Sequence, residues 1–545
     1  MSAQAAAAPF ARAHLALVLI LAASWFALLG VRPLFNPDEG RYAEIPREML
    51  ATGDWVVPHL NDLVYIEKPP LQYWATALSF ELFGTHVWAA RLYTGLCAAL
   101  TVLAAAALAR RLWGCAAAWR AGVMLLSTLG IFILGQQLTL DMGLTLFLTL
   151  TLAAFCVAQD AATPEARRRY WMWLAWVSAA AAFLTKGFVA LVLPALTLIA
   201  YSLLYRQWRP WRRLSIISGL ALFALITVPW CVLMQRRVPQ FFEFFFVREH
   251  LQRFLTRIED RYEPVWFFIP VLAVGSLPWI VPAARALGSA WRSARAPADF
   301  APRAFLWLWI VVVFVFFSLS DSKLIPYILP LFPALGLLMA SAPEEALRRD
   351  LARTCVAVIA AGLVFALAAL LLPELLTDPA RAIYFGQLRL PLLAMAAVAA
   401  AGGFIARRRP DPTTALAVTA YVGFIILMVS ARLVAPLYSG AALAEQISHA
   451  IMPATQLYAV RTYDQTLPFY LRRTMTLVES RGELEFGLML QPDKAVTLPA
   501  FIARWVAGSD ALALMEPDTY ALLRAEGLPM VIRARSPERL IVSRQ

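Results

Sequence analysis

Two adjacent carboxylates, Asp38 and Glu39, followed at once by Arg41 and Tyr42, are the first residues in the chain whose types and spacing suit chemistry. Placed just after an apolar run, such a pair suits base or electrostatic work at a membrane surface, with Arg41 and a helix end keeping it ionised. The stretch Asn36-Pro37-Asp38-Glu39 also reads as a helix start, with proline and acids in the first turn. Both readings hold together if a helix along the surface keeps Asp38 in place. Further on, Tyr65-Ile66-Glu67-Lys68-Pro69-Pro70-Leu71 carries a cation on a stiff extended segment, suited to docking a phosphate. A lysine snorkelling at the interface is the alternative. The segment 236–264 adds Glu243, Arg248, His250, Arg253, Arg257 and Arg261, and arginine pairs with phosphate in bidentate fashion. Its run Phe241, Phe242, Phe244, Phe245, Phe246 is expected to lie on the bilayer. Asp141, and Lys323 and Tyr327 beside Asp321, complete the set.

These residues need a membrane frame. Of 545 residues, 61% are hydrophobic and 15% charged, against about 45–50% and 25% in soluble domains. Apolar runs long enough to cross roughly 30 Å of hydrocarbon are found near 14–34, 88–109, 119–136, 142–158, 171–186, 188–205, 214–235, 265–284, 304–320, 324–341, 353–373, 390–406 and 413–432. The run after Arg12 reads as an uncleaved first helix. The five cysteines show no CxxC spacing and read as small buried hydrophobes.

The arginines test the thirteen-span count. With a cytoplasmic N-terminus, the inner loops hold Arg110, Arg111 and Arg120, then Arg167–Arg169, then Arg206, Arg209, Arg212 and Arg213. The series continues through Arg285, Arg292, Arg295 and Arg303, then Arg348, Arg349 and Arg353, and ends at Arg407–Arg409. Every second loop is basic, as orientation by positive charge requires. The net charge of +13 is thereby explained without nucleic acid. Outer loops then fall at 35–87, 137–141, 186–187, 236–264, 320–324 and 374–389, where the chemistry-bearing residues lie. The fold class is an all-α polytopic membrane protein with interfacial helices over residues 1–435, followed by a small periplasmic α/β domain over 436–545. That domain either covers the outer face or serves as a structural cap.

Asp38-Glu39 after the first helix, Glu67-Lys68-Pro69-Pro70-Leu71 in the first outer loop, and Asp141 after Gln136-Gln137 resemble the GT-C glycosyltransferases. The similarity is to the protein O-mannosyltransferase clan, and most closely to its bacterial lipid A branch, the aminoarabinose transferases. It covers the whole chain; the Asp-Glu pair is specific to the clan rather than to a substrate. The resemblance implies transfer of a sugar from undecaprenyl phosphate to lipid A at the periplasmic face of the inner membrane. It also implies catalytic roles for Asp38, Glu39 and Asp141, and substrate contacts from Arg41, Tyr42, Tyr65, Lys68, Arg253, Lys323 and Tyr327, with Lys68 and Arg253 on the donor phosphate. A divalent metal is common in the class, with Glu67 and His250 as the candidate ligands, although no HxxH spacing supports them. No nucleotide cofactor is expected, which suits the absence of a Gly-rich phosphate loop. Transfer of another polyprenyl-phosphate sugar, of mannosyl type, to protein or glycan is the alternative. A lipid or sugar transporter would place charges at mid-membrane, where Lys186 is the clearest case.

Overall fold

A computed structural model of the chain describes residues 3–252, 262–292, 299–371, 376, 378–480, 482–508 and 510–544. Every one of the apolar stretches falls on helix. Helix α1 (Ala3–Ala27) leads into the first outer loop, which is itself structured: α2 (Asp38–Thr52), the paired two-residue strands β1 (His59–Leu60) and β2 (Leu63–Val64), and α3 (Leu71–Phe83). Then follow α4 (Val87–Trp113), α5 (Cys115–Leu126), α6 (Leu129–Gly135), α7 (Leu140–Gln159), α8 (Glu165–Lys186), α9 (Val189–Tyr205) and α10 (Ile216–Arg237, after a short turn of helix at Arg209–Arg212). Among the described residues eight helices are long and apolar enough to cross a membrane, and two bent pairs bring the figure to ten. The remaining three stretches are shorter, as in Val189–Tyr205 and Ile325–Ala340, or begin on charged residues, as in α8. The thirteen-span count is consistent with this set.

The two bent pairs brace each other. Helices α5 and α6 meet at 61°, and Phe268–Gly275 meets Ile280–Trp291 at 116°. Backbone groups freed at such breaks need partners in a low-dielectric interior. Here the Leu129 N–H donates to the Leu277 carbonyl at 2.9 Å, and Trp279 Nε1 donates to Ser127 Oγ at 3.1 Å. Helix α7 is the most enclosed of the candidate spans, with 83% of its apolar stretch buried, so its outer end delivers Asp141 to the middle of the outer face.

The C-terminal part holds a five-stranded sheet of order β4-β3-β5-β7-β6, formed by β3 (Gln456–Val460), β4 (Thr476–Val478), β5 (Ala511–Met515), β6 (Val531–Arg535) and β7 (Leu540–Ser543). Strands β4 and β5 run parallel to the central β3, while β7 pairs antiparallel with β5 and β6. The buried run Ala511–Met515 packs on both faces, as expected of a strand covered on each side.

This sheet domain is stitched to the first outer loop. Asn36 Nδ2 donates to Asp464 Oδ2 at 2.9 Å, the Leu34 N–H donates to the Tyr470 hydroxyl at 2.7 Å, and Asn61 exchanges two 2.7 Å bonds with the backbone of Met475. Gly40 permits the approach: a Cβ there would sit 2.4 Å from the carbonyl carbon of Gln465. Two expectations change. The phenylalanine run does not lie on the bilayer: Phe241 and Phe245 are buried against Trp230, and the Phe244 ring stands 3.9 Å from Phe486 of the sheet domain, leaving Phe242 exposed. Clustered aromatic rings bury more area against each other and Trp230 than headgroups would cover. Of the cysteines, four are buried and Cys115 is exposed, because it opens α5 at a loop.

Candidate active site

Asp38 and Glu39 open α2, which starts after Pro37 and stops at Gly53 in the left-handed region. Consecutive helical side chains diverge by about 100°, and the two acids meet opposite surroundings. The Glu39 carboxylate is fully buried and accepts six hydrogen bonds, from Arg32 Nη1 and Nη2, Arg91 Nε and Nη2, and the N–H groups of Phe35 and Leu138. Burial alone would push its carboxyl up, but the two guanidiniums and their hydrogen bonds outweigh that and hold it at about 2. Arg91 also ties down the carbonyls of Leu29, Arg32 and Pro33 at 2.8–2.9 Å. Glu39, expected as a catalytic acid, is therefore the buried pin that fixes the junction between α1 and α2. With every lone pair engaged, it has none to offer a substrate.

Asp38 remains free to act. Its side chain is 36% exposed, with Arg41 Nη1 at 3.6 Å. Arg41 is buried and reaches three ways: to Asp38, to the Tyr65 hydroxyl at 3.4 Å, and by Nη2 to Glu483 from the sheet domain. Its Nε, also buried, has no hydrogen-bond partner, and neither does the buried Tyr73 hydroxyl nearby. Buried orphan polar atoms are rare in native proteins and point to a ligand. Burial works against the charged guanidinium, but Tyr65, Glu483, Tyr42 and Asp38 outweigh it and raise the proton affinity of Arg41 well above its usual range. The Tyr42 hydroxyl is pushed well above its usual range, first by burial and then by Asp38, Tyr73 and Asp141, with Arg41 opposing them.

Lys68 stands at the end of the same cluster. Tyr65 donates to Glu67 Oε2 at 2.9 Å, and Lys68 Nζ donates to Glu249 Oε2 at 2.8 Å and to the Glu67 carbonyl at 3.1 Å. Glu249 belongs to the helical segment Glu243–Gln252. Both side chains of the ion pair are largely withdrawn from solvent, 15% and 7% exposed. Asp141 pairs with Lys186 across α7 and α8, and Lys186 Nζ sits 4.5 Å from the centre of the Tyr327 ring. Lys186, a transporter signal at mid-membrane, is thus at the outer end of α8 as the partner of Asp141. Lys323 is more remote: its ammonium donates to the carbonyls of Glu263 and Ser320 at 2.7 and 2.5 Å, and burial lowers its proton affinity. Arg253 and the side chain of His250 lie outside the described residues.

Of the metal ligands expected, Glu67 is described and the side chain of His250 is not. Glu67 is engaged by Tyr65 and Lys68, and among the described residues no three histidine, cysteine, aspartate or glutamate side chains converge.

The chain has 35% identity, over 88% of its length and 89% of theirs, to the "Undecaprenyl phosphate-alpha-4-amino-4-deoxy-L-arabinose arabinosyl transferase" of Pseudomonas paraeruginosa (strain DSM 24068 / PA7). It belongs to that arabinosyl transferase family. A family member from Sodalis glossinidius (strain morsitans) is 38% identical over 58% of this chain and 56% of that protein. The crystal structure of ArnT from Cupriavidus metallidurans bound to undecaprenyl phosphate superposes with a TM-score of 0.91 at 36% identity, covering 98% of both chains. Residues 11–245 match the dolichyl-phosphate-mannose-protein mannosyltransferase model, and residues 443–544 match the aminoarabinose transferase C-terminal domain.

Within this arabinosyl transferase framework, sequence reasoning missed Glu249, Glu483 and Tyr73, along with the two arginines on Glu39. The one signal available for Arg32 and Arg91 was their place at the outer ends of spans, where positive charge is out of pattern. Glu483, more than four hundred residues from Arg41, gave none.

Proposed function

We propose that the chain moves 4-amino-4-deoxy-L-arabinose from undecaprenyl phosphate to a phosphate of lipid A. It works as a multi-pass protein of the bacterial inner membrane with its active site facing the periplasm. The observation that carries this is the convergence of Asp38, Arg41, Tyr65, Lys68 and Glu483 on one outer face, in a chain of this family. The acceptor phosphate oxygen attacks the anomeric carbon, that carbon's bond to the donor phosphate breaks, and undecaprenyl phosphate departs with the electron pair. Lys68, joined by Arg253, stabilises the charge that grows on the leaving phosphate. The acceptor is already anionic, so Asp38 orients it and balances charge at the sugar rather than acting as a strong base. Asp141, held by Lys186, is the second acid, and Arg41, Tyr42, Tyr65, Lys323 and Tyr327 line the substrates. Glu39 positions Asp38.

An amino sugar suits the cluster. Its carboxylates, Asp38, Glu67, Asp141, Glu249 and Glu483, offer partners to the sugar's ammonium, with Glu483, reaching in from the sheet domain, as the proposed contact. The division at residues 435 and 436 then assigns the spans to the donor and catalysis, and the sheet domain to closing the site through Glu483. The reaction draws on no nucleotide. Mass spectrometry of lipid A tests the proposal in a strain lacking its own transferase but making the lipid-linked amino sugar. Expression of the chain should add the aminoarabinose mass to lipid A; unmodified lipid A in the presence of accumulated protein would refute it.

A further inference from the structure

On the face opposite the active site, the ends of α4, α7 and α9 surround a cavity of about 590 Å³. Four arginines line it, Arg168, Arg206, Arg209 and Arg213, against two carboxylates, Asp160 and Asp299. The carboxylates are already committed: Asp160 pairs with Arg111 at 2.9 Å, and Asp299 with Arg209 at 3.4 Å. Arg206 and Arg213 have no carboxylate within ion-pair distance among the described residues. Orientation by positive charge accounts for basic residues in this loop, but not for their convergence on a walled cavity. Arg213 sits close enough to Arg168 and Arg209 that burial and their repulsion lower its proton affinity. Gln159, buried in the same wall, leaves its Nε2 with no hydrogen-bond partner. Crowded cations beside an orphan donor fit an absent anion.

The setting says which anion. Trp113 and the half-exposed Trp208 flank the cavity, as aromatic side chains do at headgroup level. Across the Asp160–Pro164 turn, a second cavity of about 500 Å³ runs between α4, α7 and α8, lined by Ala104, Ala107, Leu150 and Ala153. Small side chains there leave a mostly apolar groove. We propose that this cytoplasmic-side cavity binds the phosphate of an anionic phospholipid, with a tail in the neighbouring groove. Arg206 and Arg213 are its phosphate ligands and the Gln159 amide an additional donor.

Native mass spectrometry of the full chain, released from micelles carrying phosphatidylglycerol or phosphatidylcholine, tests this. Phosphatidylglycerol should be retained and phosphatidylcholine lost. With each arginine contributing as cations near a lipid surface do, the Arg206→Gln/Arg213→Gln variant should bind phosphatidylglycerol about thirtyfold more weakly. The Arg206→Lys/Arg213→Lys variant should keep most of the binding, and sugar transfer in phosphatidylcholine vesicles should show the glutamine variant folded. Independently of any variant, a photoreactive phosphatidylglycerol should label Arg206–Arg213. Equal retention by wild type and the glutamine variant, or labelling confined to other segments, would overturn the site. Orthophosphate competing as well as the lipid would overturn the lipid assignment in favour of a free anion.

Discussion

With Lys68 proposed as the donor-phosphate ligand, its ion pair with Glu249 sets a carboxylate in competition with that phosphate, so removing that charge should tighten donor binding. Glu249→Gln keeps the shape and leaves an amide oxygen to accept from Lys68. At 2.8 Å, with both side chains mostly buried, the charge-assisted bond is worth about 1.5–3 kcal/mol, against about 1 kcal/mol for its neutral replacement. The difference of about 0.5–2 kcal/mol no longer has to be overcome when phosphate displaces residue 249. Affinity for undecaprenyl phosphate should therefore rise by about two- to thirtyfold. Titrating purified protein in detergent with undecaprenyl phosphate, by ligand-induced shift of the unfolding temperature or by direct binding, measures it. Lys68→Ala should lose affinity by at least as much while the protein still accumulates. Unchanged or weaker binding in Glu249→Gln would show that the phosphate does not compete for Lys68, and the assignment of that lysine would fall with it.

Three other substitutions probe the supports of the site. Glu39→Gln leaves the buried guanidiniums of Arg32 and Arg91 short of charge and should cost about 3 kcal/mol, seen as a lower unfolding temperature and poor accumulation. Because the Glu39 carboxyl is held at about 2 against an ordinary 4.5, the unfolded chain takes up the proton first as pH falls. The stability it contributes is complete above pH 4.5 and is lost between 4.5 and 2, and acid-unfolding curves of the glutamine variant should lack that component. Gly40→Ala drives a methyl into the Gln465 backbone and should cost about 1–3 kcal/mol, with limited proteolysis showing the sheet domain loosened from α2. Glu483→Gln should reduce use of the amino-sugar donor about tenfold, as expected for one lost charge-assisted contact, while leaving a neutral pentose donor little affected; equal loss with both donors would remove Glu483 from amine recognition.

Much of the architecture was legible because bilayer physics writes it into composition. Apolar length and the alternation of arginine-rich loops located the helices, and the polar first loop marked the face where chemistry occurs. The roles inside that loop were less legible. Neighbours in sequence, Asp38 and Glu39 look equivalent, and only the helical phase of α2 turns one toward solvent and the other onto Arg32 and Arg91. Glu483 and Glu249 reach Arg41 and Lys68 through tertiary contacts that no local period records. The phenylalanine run misled because aromatic side chains suit a bilayer surface and a packed interior equally well, and Trp230 and Phe486 supplied the interior.

The most direct test of the account is Asp38→Asn in purified protein, with sugar transfer to lipid A and undecaprenyl phosphate binding measured on the same sample. The substitution keeps size and helix position and removes the one acid of the pair left open to substrate. The account predicts transfer reduced by about a hundredfold or more, within the range for loss of a positioned acid or base, with donor-phosphate binding within a few-fold of wild type. Transfer at the wild-type rate would contradict it.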